Sequence, residues 1–183
     1  MAGIDTYETT ITYEDQAVTF LFMSKGNRAI VKAVEYRFVQ KLLGRSLYNL
    51  GFGDYEIDAG RILDHTDTNN GDPYKVFHTI LHTIPIFFDI YPEAMVLVQG
   101  SDSTMEFEVA CRKTCKRKCV NDCKKHHRRI RIYCNYVDRN FMEISKRYVF
   151  FGVSIDDNHA VMEPYQTGRA YIAVFLHLRA LSL

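Results

Sequence analysis

Apolar and polar positions alternate along much of the first fifty residues. Val18, Phe20 and Phe22 alternate with Thr19, Leu21 and Met23 within residues 9–23, which predicts a hairpin with a strand buried on both faces. Ser24, Lys25, Gly26 and Asn27 form a turn signal. Over residues 29–39, Val34, Tyr36 and Phe38 fall on one face and Glu35 and Arg37 on the other, the pattern of a half-buried antiparallel strand. A further short strand over 47–53 ends in glycines and opens into a loop carrying Asp54, Asp58, Asp64 and Asp67.

The period then changes. Val76, Phe77, Ile80, Leu81 and Ile84 recur at helical spacing, and Asp72-Pro73 supplies a capping residue followed by a first-turn proline. The predicted helix runs to about Tyr91, with Pro85 kinking it or capping a second, shorter turn. Residues 94–99 predict an interior strand that delivers Gly100, Ser101 and Asp102 at its edge, and residues 105–109 a return strand. From Ala110 onward Cys111, Cys115, Cys119 and Cys123 recur every fourth residue, drifting about 40° per step, so on a helix they form one stripe. A second helical stretch, 129–147, directs Ile132, Tyr133, Tyr136, Phe141 and Ile144 to the core, and strands are predicted over 148–153 and 171–178. Together these elements predict one α+β domain over residues 1–183, a mainly antiparallel sheet with two or three helices packed on one face.

Charge sharpens the picture. The chain as a whole is nearly neutral, at +1, yet residues 111–131 hold ten of its 23 Lys and Arg and a single acid, Asp122. That stretch carries +9 and the remainder −8, so an acidic body holds a strongly basic segment. Charge blocks of this kind mark contact surfaces for nucleic acid or acidic partners. Apolar residues make up 47% of the chain, which excludes wholesale disorder, and no 18-residue apolar window suggests a membrane span. An odd number of cysteines, five, without a secretory leader predicts reduced thiols in a cytoplasmic protein.

An ordered set of short motifs adds a resemblance. It comprises Ser24-Lys25-Gly26, Tyr48-Asn49-Leu50-Gly51-Phe52-Gly53-Asp54, Asn69-Asn70-Gly71-Asp72 with Lys75-Val76, and Tyr91-Pro92. Gly100-Ser101, Arg129-Ile130-Arg131-Ile132-Tyr133, Asn140 and Gly168-Arg169-Ala170-Tyr171 with Phe175 complete it. This set resembles the DUF6934 family of uncharacterised proteins, mostly from Bacteroidota. The resemblance implies a bacterial cytoplasmic protein and no particular activity. In that family the Gly-Ser turn leads almost directly into the Arg-x-Arg-x-Tyr helix, so the resemblance makes residues 103–127 a basic, Cys-rich insertion.

Several constellations carry candidate chemistry. Arg112, Lys113, Lys116, Arg117, Lys118, Lys124, Lys125, Arg128, Arg129 and Arg131 are the candidate polyanion-binding residues, with nucleic acid the first expected partner and an acidic protein the second. Aromatics are missing from the segment until Tyr133 and Tyr136, so base stacking is not expected. Two thiolates and an imidazole suit zinc, and Cys119, Cys123 and His126 or His127 share a helical face, though a straight helix cannot wrap four ligands around one ion. The surrounding cations are expected to depress the thiol pKa values. No other cofactor is expected.

A phosphate pocket is the second candidate, built from Asp54, Lys75, Ser101 and Tyr133, with Asp72, Arg129 and Arg131 nearby in the motif set. Asp72 is expected simply to cap its helix, and Arg129 and Arg131 diverge by about 200° on a helix, so one at most enters such a pocket. Gly100-Ser101 with Glu106 and Glu108 is similar to the glycine-serine turn and paired carboxylates of nucleotidyltransferases, the basis for an alternative as a nucleotide or phosphate-ester enzyme. A third alternative is a protein-binding member of a defence or toxin–antitoxin-like pair. His78 and His82 lack a third ligand nearby and are assigned to the polar side of their helix.

Overall fold

In the computed structural model, the described residues are 5–63, 70–115, 119, 123–157 and 159–180. Among them are nine strands and three α-helices, and the strand pairings described within each part of the chain are antiparallel, an α+β fold. The chain divides into two compact units, Met1–Ala94 and Met95–Leu183.

The first unit is a meander. Strands β1 (Thr10–Glu14), β2 (Ala17–Lys25), β3 (Ala29–Leu42), β4 (Arg45–Glu56) and β5 (Arg61–Leu63) pair in that order. The alternation seen in the sequence fixes the register. Val18, Tyr36 and Leu50 form one cross-strand row, Phe20, Val34 and Phe52 the next, and Phe22, Lys32 and Asp54 the third. A one-residue slip would turn all three rows to the opposite face. The last row ends in an ion pair between Lys32 and Asp54, whose side chains are 6% and 12% exposed.

Helix α1 (Pro73–Ile90) covers this face. Phe87 stacks on Tyr36 with ring centroids 4.1 Å apart, and the Tyr36 and Thr83 hydroxyls are hydrogen-bonded at 2.8 Å. Its buried stripe differs from the predicted one. Val76, Thr79, Ile80, Thr83, Phe87 and Phe88 are buried, whereas Phe77, Leu81 and Ile84 are half-buried. Thr79 and Thr83 were obscured as core residues by their hydroxyls, which bond back to the Lys75 and Ile80 carbonyls and so enter the interior satisfied. The helix also passes through Pro85 without ending.

In the second unit β6 (Met95–Gln99), β7 (Tyr148–Asp156), β8 (His159–Pro164) and β9 (Ala173–Leu178) take the order β6–β9–β7–β8. Helices α2 (Met105–Thr114) and α3 (Arg128–Ile144) lie between β6 and β7 in sequence. The predicted return strand at 105–109 is therefore the start of α2. The Thr104 hydroxyl accepts the Phe107 N–H at 3.1 Å, and Glu106 and Glu108 in the first turn complement the helix dipole. These local terms outweigh the strand-like alternation of Met105, Phe107 and Val109.

The thiol-striped helix is also cut short: α2 stops at Thr114, and residues 124–127 form turns. Arg112, Lys113, Lys116, Arg117 and Lys118 place like charges three to five residues apart, which disfavours a continued helix. Helix α3 is rotated from the expected phase. Ile130, Cys134 and Val137 are buried at i, i+4 and i+7, and Ile132 is 47% exposed. Phe141 does turn inward, stacked on Tyr165 at 5.8 Å. Gly152 on β7 lies so close to Tyr171 that an added Cβ would be 2.2 Å from its ring, which is why no side chain fits there. Among the described residues no helix is long and apolar enough to cross a membrane.

Candidate functional site

The basic segment begins on the last turns of α2 and ends on the first turn of α3. Arg112, Lys113, Lys124, Lys125, Arg128 and Arg131 are exposed. Arg112 pairs with Glu108 at 2.6 Å, one turn earlier on α2. Lys113, Lys124, Lys125 and Arg128 have no ion pair among the described residues. Arg131 turns back to donate to the His126 carbonyl at 3.2 Å. Lys116, Arg117 and Lys118 lie outside the described residues.

Arg129 has a different role from its neighbours. It is half-buried and its guanidinium donates to Ser101 Oγ at 2.6 Å, while its backbone N–H donates to Asp102 Oδ2 at 2.9 Å. Asp102, 6% exposed, thus supplies the cap that α3 cannot provide for itself. The residue at the N-cap position, His127, is held in the left-handed region at φ 58° and makes no side-chain cap. Its own N–H donates to the Asp102 carbonyl at 3.1 Å. Replacing Asp102 with alanine should cost about 1–2 kcal/mol of stability, read as a lower denaturation midpoint at unchanged slope. A loss no larger than that of an exposed substitution would show that α3 is capped otherwise.

The His126 and His127 rings lie with centroids 3.7 Å apart, tilted by 34°. Burial and the adjacent His126 ring hold the His127 imidazole below its ordinary pKa, so it is neutral at pH 7. His126 Nε2 and His127 Nδ1 are buried without a hydrogen-bond partner among the described residues. The thiols meet in pairs. Cys111 and Cys123 have sulfurs 3.5 Å apart, and Cys115 and Cys119 3.7 Å apart. The expected depression of thiol pKa values is reversed at Cys111, which its hydrogen bond to Cys123 and burial push up to about 11. Local thiol contact outweighs the more distant cations there.

The second candidate, the phosphate pocket, is taken up by internal pairing. Asp54 is bound to its cross-strand partner Lys32, and Lys75 pairs with Asp5 at 2.7 Å while covering the Tyr7 ring. Ser101 accepts from Arg129, and Tyr133 is half-buried on α3. Asp54 and Lys75 belong to the first unit, Ser101 and Tyr133 to the second. The paired-carboxylate arrangement is corrected outright. Glu106 and Glu108 stand two apart on a helix, so they diverge by about 200° instead of sharing a strand face.

One polar cluster was not foreseen. Asp72 makes no side-chain cap to α1, contrary to expectation. Its Oδ2 instead accepts from the Tyr7 hydroxyl at 2.7 Å and the Ser24 hydroxyl at 2.6 Å. Asn70 donates to Ser24 Oγ and to the Arg28 carbonyl, and its own carbonyl accepts the Asn27 N–H at 2.7 Å. Gly26 makes that approach feasible, since a Cβ there would be 1.8 Å from the Asn70 carbonyl oxygen. An open cleft of about 720 Å³ adjoins the cluster, lined among others by Tyr7, Lys25, Asp72 and Lys75. The signals were two local motifs, Ser24-Lys25-Gly26, legible as a turn, and Asn69-Asn70-Gly71-Asp72, legible as a helix start; that Asn70 and Asp72 bond to the turn is tertiary information.

A family model described as "Family of unknown function (DUF6934)" matches residues 4–106. No curated protein matches the chain, and no solved structure does.

Proposed function

The chain belongs to the DUF6934 family, whose function is unknown, and we propose that it is a binding module contacting a polyanion, nucleic acid foremost, through residues 112–131. The observation that carries this reading is the exposure of Lys113, Lys124, Lys125 and Arg128 without an acidic partner among the described residues. A lone exposed cation can simply be solvated, as at Lys41 and Arg139, which also lack an ion pair among the described residues. Unmatched cations clustered in sequence can instead displace counterions from a phosphate backbone. The reading places the protein in the cytoplasm, where its five thiols stay out of disulfides. An enzyme at Ser101, Arg129 and Arg131 is less well supported, because Ser101 is held by Arg129, and Arg131 turns to a backbone carbonyl.

Titration of labelled single- and double-stranded nucleic acid by fluorescence anisotropy, at low and moderately high salt, tests it. Binding should weaken steeply with salt. Replacing Lys113, Lys124, Lys125 and Arg128 with alanine should lower the log–log salt slope on duplex by about 3–4 and weaken binding more than tenfold at low salt. Absence of binding, or a variant that binds as the wild type does, overturns the reading. A protein partner that stays bound at high salt through the same four residues would instead favour the paired-system alternative.

A further inference from the structure

We propose that Cys111 and Cys123 form a redox-active dithiol, which a low-molecular-weight disulfide of the glutathione class converts to an intramolecular disulfide tying the end of α2 to the entry of α3. The inference is independent of polyanion binding. Among the described residues no three His, Cys, Asp or Glu side chains stand placed to hold an ion, so the thiols are read as a pair. The two sulfurs are 3.5 Å apart, already in contact. A disulfide bond is about 2.05 Å long, so each sulfur has only about 0.7 Å to travel.

Each partner is held by structure on its outer side. Cys111 lies on the last turn of α2, the helix that Thr104 caps. The Cys123 carbonyl accepts the His126 N–H at 2.9 Å, and the next residue, His127, donates its N–H to the Asp102 carbonyl. The contact therefore needs nothing from the residues between the two cysteines. Cys115 and Cys119, 3.7 Å apart, lie inside the loop that this pair would close, and Cys115 already stands beyond the end of α2. They lack that support from both helices, so the outer pair carries the inference. Cys134, buried on α3, has no thiol in contact among the described residues.

Exposure assigns the order of the steps. Cys111 is half-buried and Cys123 only 6% exposed, so a tripeptide-sized oxidant reaches Cys111 first. The Cys111 thiolate attacks one sulfur of the oxidant, whose S–S bond breaks; a mixed disulfide forms at Cys111 and one small thiol leaves. Cys123 then attacks the Cys111 sulfur and displaces the second small thiol. The two protein thiols give up two electrons and two protons, which end on the two small thiols. Because the Cys111 proton is held up to about 11, its thiolate is scarce at neutral pH and the exchange is slow. A reducing poise leaves the pair open, and a sustained oxidising one closes it. Closure adds a covalent tie beside the hydrogen bonds from His127 and Arg129 to Asp102.

The full-length protein with Cys115 and Cys119 changed to serine keeps three of its five thiols, Cys111, Cys123 and Cys134. Brought to equilibrium with glutathione buffers of graded ratio at mildly alkaline pH, it should lose two of them. Peptide mass mapping without reductant should then find Cys111 linked to Cys123, with Cys134 free. The wild-type chain should carry the same link, and far-UV circular dichroism checks that the variant still folds. In denaturant the equilibrium constant for the link should fall by about tenfold or more, because the fold no longer holds the sulfurs in contact. In Cys123→Ser, Cys111 should stop at the mixed disulfide with glutathione. No link in native protein at ratios that oxidise the denatured chain would overturn the proposal. So would a wild-type chain in which Cys111 pairs with Cys115 in preference to Cys123, or an equilibrium constant that denaturant leaves unchanged.

Discussion

Phe87→Ala should remove about 3–5 kcal/mol of folding free energy. Phe87 is fully buried, stacked on Tyr36 at 4.1 Å and packed against Tyr48, Phe88 and Tyr91 with centroids 5.1–5.6 Å away. Four rings held by two strands and by the helix itself cannot all move inward, so the cavity would stay largely open. Domain stabilities are on the order of 5–15 kcal/mol, so much of the available margin would go. Phe87→Leu keeps most of the volume and should cost about 1–1.5 kcal/mol. Chemical denaturation of the three proteins gives the comparison. An alanine variant within about 1 kcal/mol of wild type would mean that the aromatic cluster is not the core of the first unit.

Asp72→Ala should cost about 3 kcal/mol at neutral pH and progressively less in acid. The Asp72 carboxylate accepts two hydroxyl hydrogen bonds, from Ser24 and Tyr7, and Ser24 is itself fully buried. Removing the acceptor leaves a buried hydroxyl proton without a partner. Burial alone would raise the Asp72 pKa, but the bonds from Ser24 and Tyr7 outweigh it and hold the carboxyl below its ordinary 3.8. A group whose folded pKa is depressed stabilises the fold above its unfolded pKa, and that contribution is lost as pH falls through the folded value. The gap between wild type and variant should therefore be full at neutral pH and narrow below pH 3.8. A gap independent of pH would mean that Asp72 acts through packing and not through its charge.

Much of the first unit was legible in the sequence because its strands obey a simple rule. Val18, Phe20 and Phe22, then Val34 and Tyr36, alternate cleanly, and their pairing gives the sheet. The second unit hid more. Strand β8 carries exposed residues at nearly every position, so it has no apolar period to detect. Met105, Phe107 and Val109 alternate like a strand, yet Thr104 caps a helix there. Candidate site residues divided the same way. The exposure of Arg112, Lys113, Lys124, Lys125, Arg128 and Arg131 followed from composition, whereas the meeting of Cys111 with Cys123 depends on where α2 ends. Likewise Asp72 looked complete as a cap because its local signature was sufficient; its bonds to Ser24, 48 residues away, and to Tyr7, 65 away, have no local trace.

The bond between the His127 N–H and the Asp102 carbonyl, 3.1 Å long, brings the two ends of the stretch 103–126 together at one doorway. Such an excursion behaves as a cassette. Its length enters the free energy chiefly through closure entropy, about 0.6 kcal/mol for each doubling. Residues can therefore be added, removed or exchanged between the two jambs without shifting the register of any strand. Asp102 would still receive α3 at the same place, so the scaffold on either side tolerates rewriting of a single stretch of chain.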